Sequence, residues 1–154
     1  MTDCLICARS ADIRAGTNPF FIAELETGYA VLGDFQYFKG YTLFLAKDHL
    51  TELHQLPAER RWLFLKEMSL VAEAVHRVVQ PEKMNYELLG NSESHMHWHL
   101  FPRMKEELAA HKGPIWWVPA AERNADAVRP SDEEREGLIQ KIRTALEAVK
   151  KNGA

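Results

Sequence analysis

The stretch HMHWHLFPR, residues 95–103, holds three of the seven histidines of the chain, each two positions from the next. Two residues is the period of a β-strand, so the three imidazoles are predicted to project from one face and the residues between them from the other. Seven histidines placed at random in 154 positions rarely produce such a run. The pattern therefore indicates a strand whose histidine face has a chemical role.

Two kinds of chemistry fit three alternating histidines. Imidazoles on one strand face can chelate zinc and leave one coordination position open for a catalytic water. Alternatively, one neutral imidazole attacks phosphorus as a nucleophile, while its neighbours orient it and protonate the leaving group. The spacing by itself leaves both possibilities open.

Composition indicates a single domain, residues 1–154, with enough apolar residues for a proper core. The chain is 46% hydrophobic and has a net charge of −3, with acidic and basic residues mixed along it. Because there is no basic stripe, binding to a nucleic-acid duplex is not expected. The N-terminus lacks a signal-peptide pattern and no window reaches the roughly 18 apolar residues of a membrane span, so we expect a cytoplasmic protein without membrane contact.

The order of secondary-structure signals predicts an α+β fold. Two helices are predicted, one from Pro57 to about Val79 and one from a capping box at Ser131 and Glu134 to about Val149. Only a turn is expected before the first strand, and an irregular stretch between the last strand and the second helix. Five strands are predicted in a mostly antiparallel sheet: 20–25, 29–34, 42–47, 84–90 and 95–103.

The only two cysteines, Cys4 and Cys7, form a C-x-x-C pair. A structural disulfide is not expected in a reducing compartment. A thioredoxin-type redox pair follows a strand, and residues 1–3 are too few to form one. Half of a metal site is therefore favoured over a redox pair, and the remaining alternative is two unligated cysteines that lie near each other by chance.

Three motifs together resemble the histidine triad (HIT) superfamily. Residues 95–101 match the pattern His-φ-His-φ-His-φ-φ, in which φ is apolar. The segment GYTLFLAKDH, residues 40–49, is similar to G-H-x-L-φ-I-P-K-x-H, and CLIC, residues 4–7, is similar to the C-x-x-C that opens many bacterial members. The matched order covers a core of residues 4–103, followed by a C-terminal loop and helix over residues 104–154.

The resemblance implies a HIT-like fold with a five-stranded antiparallel sheet packed with two main helices and extended across a homodimer. It also implies a nucleotide hydrolase or transferase that cleaves a nucleotidyl conjugate at the α-phosphate through a nucleotidyl-histidine intermediate. The substrate would be of the dinucleoside polyphosphate or nucleoside phosphoramidate type. The alternative is a nucleotide-binding, zinc-stabilised HIT protein with little or no turnover.

By the family pattern His97 is the nucleophile, with His99 and Ser92 assisting at the phosphate and leaving group. A nucleophilic imidazole needs one ring nitrogen free, so the other is expected to donate to a nearby backbone carbonyl. The residues expected to contact substrate are Asn91 at the phosphates, Asp34 at the ribose hydroxyls, and Leu32 with Phe20 or Phe21 at the base.

The resemblance also implies a structural zinc site. In zinc-containing members the C-x-x-C pair joins the histidine of the K-x-H segment and the first triad histidine, which here gives Cys4, Cys7, His49 and His95. Four such ligands close a tetrahedral site, so zinc would hold His95 and leave the next triad histidine free. His54 is the rival ligand, but its place just before a helix predicts solvent exposure.

The chain departs from the family pattern at several positions. Tyr41 and Ala46 replace the usual histidine and proline, and the usual G-Q before the triad is absent. The loop of residues 90–94 is short and contains Glu93, which disfavours a long anionic polyphosphate.

Two further features lie towards the C-terminus of the matched core and beyond it. The pair Trp116-Trp117 is expected to pack on the domain or a dimer partner, with the active-site rim as the alternative. Arg103, at the end of the last strand, is expected either to touch phosphate or to lie on the surface as an ordinary strand-end arginine.

Overall fold

The computed structural model describes residues 4–152. Single turns of 3-10 helix lie at Leu53–Gln55, Ile115–Trp117 and Asp126–Val128. The helices and strands, in chain order, are α1 (Leu5–Arg14), β1 (Phe21–Glu24), β2 (Gly28–Leu32), β3 (Thr42–Ala46), α2 (Ala58–Val79), β4 (Lys83–Glu87), β5 (His97–Arg103), α3 (Lys105–Ala110), α4 (Ala120–Arg123) and α5 (Asp132–Asn152).

The five strands form one antiparallel sheet in the order β1-β2-β3-β5-β4. Strand β5 lies between β3 and β4, with His97 opposite Leu45 and His99 opposite Leu43. Because successive residues of a strand point to opposite faces, these two histidines share a face and Trp98 points to the other. The predicted α+β fold, with a five-stranded antiparallel sheet, is confirmed.

Helices α2 and α5 cover one face of the sheet and enclose the main core. Phe44 of β3 stacks on Phe64 of α2 with 5.2 Å between ring centroids. Val75 of α2 and Leu146 of α5, which belong to the predicted apolar stripes, are fully buried. Both helices lie close to their predicted bounds, and none within residues 4–152 is long and apolar enough to cross a membrane.

The capping box predicted before α5 is present. The amide of Glu134 donates to the Ser131 hydroxyl oxygen at 3.2 Å, and the amide of Ser131 donates to the Glu134 carboxylate at 2.8 Å. Each side chain thereby satisfies a backbone donor that the first turn of a helix leaves unpaired. The start of this helix was therefore readable from local sequence alone.

Helix α1 corrects the prediction of a mere turn before β1. The helix spans ten residues, although within it only Ile6 and Ser10 are buried. Its first turn is capped by two unusual acceptors: the Cys7 amide donates to the Cys4 sulfur at 3.4 Å, and the Leu5 amide donates to the Glu93 carboxylate at 3.2 Å. The helix was missed because its cap comes from a cysteine and from a residue far along the chain.

Arg103 is neither a surface residue nor a phosphate ligand, so both expectations for it are wrong. Its side chain is 1% exposed and pairs with Glu107 at 2.6 Å. It also donates to Asn85 at 2.8 Å and to the carbonyl oxygens of His111 and Gly113. The N–H donors of a buried guanidinium need hydrogen-bond acceptors. Those of Arg103 are supplied largely by the chain after β5, which is thereby held against the sheet.

Candidate active site and metal centre

An open cavity of about 810 Å³ lies on the face of the sheet opposite α2 and α5. Helix α1, the strands β2, β3 and β5, the loop of residues 89–93 and the segment 116–124 contribute to its walls. Five residues that the sequence predicts to take part in catalysis or substrate binding line it together: Asp34, Asn91, Ser92, His97 and His99.

His97 has the tautomer expected of a nucleophile. It is 6% exposed, and its Nδ1 lies 2.7 Å from the carbonyl oxygen of His95. A carbonyl only accepts, so Nδ1 carries a proton, and in the neutral form of the ring the lone pair is therefore on Nε2. The expected hydrogen bond to a backbone carbonyl is therefore present.

His99 is held neutral beside Tyr41. Burial, and secondarily the neighbouring His97, lower the pKa of His99 to about 4. Its Nδ1 lies 2.7 Å from the Tyr41 hydroxyl, and burial raises the pKa of that phenol, which stays protonated. We assign the phenol as the donor, which leaves the proton of the His99 ring on Nε2.

Asp34 does not stand free in the cavity. Arg9 of α1 donates two hydrogen bonds to its carboxylate. Nη1 donates to one oxygen at 2.9 Å, and Nη2 donates to the other oxygen in a very short contact. Arg9 was missed in the sequence because α1 itself was not predicted. Nothing in the local pattern around Arg9 signals this partner, which lies 25 residues away.

The expected contact of Leu32 with the base is wrong. Leu32 is fully buried in the core under α2 and α5, whereas Val31 and Leu43 line the cavity. Phe20 packs against the same core as Leu32, and Phe21 packs against α1. Every position of β2 is buried, so burial alone could not reveal which residues face the cavity.

Four residues form a candidate metal centre at the start of α1. The ligand atoms of Cys4, Cys7, His49 and His95 all lie within 4.8 Å of one another. The Nδ1 of His95 is 3.4 Å from each sulfur, and the Nδ1 of His49 is 3.1 Å from the Cys7 sulfur. His95 donates from Nε2 to the Ala46 carbonyl oxygen at 2.9 Å, so its Nδ1 lone pair faces the cluster.

These distances fit a tetrahedral ion. Zn–S bonds of about 2.3 Å and Zn–N bonds of about 2.0–2.1 Å at a tetrahedral angle place sulfur and nitrogen about 3.5 Å apart. The rival ligand His54 is exposed and lies outside the cluster, as expected. Within residues 4–152 no second cluster of this kind occurs, and the remaining triad residues His97 and His99 do not belong to this one.

Comparison with known proteins assigns this chain to a family. The model of the HIT domain matches residues 16–106, more than half of the chain. The chain belongs to the HIT domain family. No curated protein matches it.

Several solved HIT structures share the fold. A histidine triad protein from Sinorhizobium meliloti is 20% identical, with a TM-score of 0.71 over 82% of this chain and 88% of that one. A Zn-bound histidine triad family protein from Mycobacterium smegmatis is 22% identical, with a TM-score of 0.63 over 97% of both chains. A Plasmodium falciparum diadenosine triphosphate hydrolase is 12% identical, with a TM-score of 0.55 over 84% of this chain and 78% of that one.

Part of the cavity wall lies beyond the HIT domain match. Trp116 donates from its indole nitrogen to Glu87 and meets the His99 ring edge-on, with 5.7 Å between centroids. Trp116 is therefore at the rim of the cavity, the alternative placement, while Trp117 is 78% exposed. Arg123 lines the cavity next to Trp116, and sequence reasoning did not single it out.

The loop before the triad is joined to α1. Asn91 and Ser92 are exposed at the rim of the cavity. Glu93 also borders the cavity, but its carboxylate accepts from the Leu5 amide at the start of α1, where the helix dipole favours a negative charge. The carboxylate of Glu93, which the sequence places in the loop before the triad, thus caps α1.

Proposed function

We propose that this HIT protein cleaves nucleotidyl conjugates at the α-phosphate, with His97 as the nucleophile. The observation that carries the proposal is the hydrogen bond from His97 Nδ1 to the His95 carbonyl oxygen, which frees Nε2 beside a cavity of nucleotide size. The substrates are dinucleoside polyphosphates or nucleoside phosphoramidates. The name of the Plasmodium neighbour, a diadenosine triphosphate hydrolase, supports this class.

The reaction has two steps. The lone pair of His97 Nε2 forms a bond to the α-phosphorus, and the bond from phosphorus to the leaving group breaks. Ser92 supplies a proton to the departing atom and regains one from the attacking water in the second step, while the neutral His99 donates a hydrogen bond from its Nε2–H to a phosphate oxygen. Water then attacks the phosphorus, the N–P bond breaks, and a nucleoside monophosphate leaves with His97 restored.

The nucleoside is proposed to lie on the side of the cavity formed by β2 and β3. Val31 and Leu43 provide an apolar wall for the base, and Asp34 accepts hydrogen bonds from the ribose hydroxyls while Arg9 holds its carboxylate in place. Asn91, which lines the cavity, is proposed to contact the phosphate, because stabilising the phosphate charge is the main requirement of phosphoryl transfer.

We propose that the cluster of Cys4, Cys7, His49 and His95 binds zinc. The structural support is the fit of three sulfur–nitrogen distances to tetrahedral coordination, and the Zn-bound relative from M. smegmatis supports the choice of metal. The ion would hold α1 to the strand that carries the triad, and so fix the position of Arg9. A closed site of four protein ligands has no open position for substrate, so this zinc is structural.

Dimerisation through β4 is part of the proposal. Strand β4 is at the edge of the sheet, and Tyr86 exposes about half of its side chain there, at 49%. A second copy could continue the sheet along this edge. Light scattering coupled to size-exclusion chromatography measures the molar mass of the protein in solution. The mass of a monomer at micromolar concentration would contradict the proposed dimer.

The decisive experiment is intact-protein mass spectrometry after mixing with adenosine and guanosine conjugates. The parent protein is expected to gain the mass of a nucleoside monophosphate, and the His97→Gly variant to gain none. His54→Ala is the matched control, because His54 is exposed and outside both sites, and it should react as the parent does. A parent that binds AMP but forms no adduct and releases no AMP would favour the binding-protein alternative.

A further inference from the structure

The two arginines that line the cavity differ in their charge balance. Arg9 is neutralised by Asp34. Arg123 forms no ion pair among residues 4–152. Glu93 accepts from the Leu5 amide and Glu87 from the Trp116 indole, and neither carboxylate pairs with Arg123. The cavity therefore contains one cation, Arg123, that has no ion-pair partner among residues 4–152.

Arg123 is also held in place before any ligand arrives. Its Nε donates to the Val118 carbonyl oxygen at 2.8 Å, and its guanidinium lies 4.8 Å from the centre of the Trp116 ring. Trp116 is in turn tied to Glu87 of β4. These contacts orient the guanidinium and leave its two terminal nitrogens as donors, the geometry that binds phosphate through paired hydrogen bonds.

The position of Arg123 relative to the triad indicates which part of a substrate it meets. Asp34 follows β2, and Trp116 is bonded to β4. Strands β3 and β5 lie between them, and β5 carries His97 and His99. A conjugate with its nucleoside at Asp34 and its α-phosphate at His97 would extend its leaving group towards Trp116 and its neighbours.

We infer that Arg123, with Trp116 and Asn124, forms a subsite for a phosphate-bearing leaving group. The inference rests on the proposed function, and it selects anionic leaving groups, such as a nucleoside diphosphate, over uncharged amines. All three residues lie outside the matched HIT domain, so the subsite belongs to the C-terminal segment of this chain. It compensates for the acidic Glu93 in the loop before the triad.

The test compares two substrates with the same AMP portion. Diadenosine triphosphate releases ADP, whereas adenosine 5′-phosphomorpholidate releases morpholine, which carries no phosphate. Arg123→Gln is expected to lower kcat/KM for the first by about tenfold or more, because a charge-assisted hydrogen bond is lost, and for the second by about threefold at most. Arg123→Lys, which keeps the charge without the paired donors, should fall between parent and Arg123→Gln.

Arg129→Gln is the matched control. Arg129 also stacks on an aromatic ring, at 4.1 Å from Phe35, but it pairs with Asp126 and does not line the cavity. Arg129→Gln should change kcat/KM by less than about twofold for both substrates. The proposed subsite would be refuted if Arg123→Gln lowered kcat/KM equally for both substrates, or did not lower it for diadenosine triphosphate.

Binding of inorganic pyrophosphate separates this inference from the proposed function. If the parent cleaves neither substrate, the proposed function fails, and calorimetry with pyrophosphate still decides the subsite. Binding about tenfold weaker in Arg123→Gln than in Arg129→Gln would support it. Equal affinities in the two variants, or no binding to the parent, would refute it.

Discussion

The hydroxyl of Tyr41 lies 2.7 Å from Nδ1 of His99, and the Tyr41 ring stacks on Phe101 with 4.2 Å between centroids. Tyr41 stands where the HIT pattern has a histidine. The contact determines which nitrogen of the third triad histidine presents a proton to the cavity. It couples the segment before β3 to the chemistry on β5.

Replacing Tyr41 with phenylalanine should slow turnover while keeping the ring stack. The variant loses one hydrogen bond of about 0.5–1.5 kcal/mol, so kcat should fall by about two- to tenfold with little change in KM. Nitrogen-15 spectra should show the His99 proton shared between both ring nitrogens. Tyr37→Phe is the control, since Tyr37 lines the same cavity and its hydroxyl has no hydrogen bond within residues 4–152. Equal losses in both variants would contradict the assigned role.

The low pKa of His99 should make the fold weaker in mild acid. The unfolded chain takes up a proton near the ordinary pKa of 6.5, whereas the folded protein does so only near 4. Between these values the unfolded state binds more protons, so stability falls as the pH is lowered. The His99 share of this fall is about 2 kcal/mol between pH 7 and pH 5.

Urea unfolding of the parent and of His99→Asn at both pH values measures that share. The parent should lose more stability on acidification than the variant, because asparagine does not titrate. Proton spectra of the His99 ring should show an apparent pKa near 4. A midpoint near 6.5, or the same acid sensitivity in both proteins, would mean that burial does not hold this ring neutral.

Removing His49 should release the metal, and removing His54 should not. His49 Nδ1 lies 3.1 Å from the Cys7 sulfur in the four-residue cluster, while His54 is exposed outside it. A structural ion binds the folded state alone, so its loss should also lower the thermal midpoint. Metal analysis after dialysis should give about one zinc per chain in His54→Ala and little in His49→Ala. Similar zinc contents would show that His49 is not a ligand.

Glu67 should be one of the most important polar residues for stability. It is 7% exposed on α2, and its carboxylate accepts from the amides of Glu26 and Thr27, both at 2.8 Å, and from the Thr27 hydroxyl. Glu67→Ala leaves buried donors of the β1–β2 turn unpaired, which costs about 3 kcal/mol and lowers the thermal midpoint by roughly 6–12 °C. Glu73→Ala, on the exposed side of the same helix, should shift it by less than about 2 °C.

Helix α1 shows where local sequence signals end. The five strands, α2 and α5 were predictable because their apolar periods and the Ser131 cap are written in neighbouring residues. Helix α1 has few buried residues, and its first turn is completed by Glu93, 88 positions from Leu5. A helix whose cap and packing come from distant residues carries little local signal.

Leu32 shows a second limit. A strand exposed on one face reveals its orientation by alternating polar and apolar residues, but β2 is buried on both faces. The sequence therefore could not tell Leu32, under the helices, from Val31, beside the cavity. The facing is decided by pairing with β3, where Val31 lies opposite Leu43.

The sequence by itself determined the histidine face of β5, because that face follows from a two-residue period. Its resemblance to the HIT family identified the four residues that meet in the candidate metal centre, although His49 and His95 lie 42 and 88 positions from Cys7. Only the tertiary structure decided the partners of Arg9, Arg103 and Arg123. Each of these long side chains donates to acceptors that are brought within reach only when α1, β4 and the C-terminal segment pack together. The charge balance of the cavity is thus a property of packing, since burial makes each arginine pair with whichever acceptors the fold places beside it.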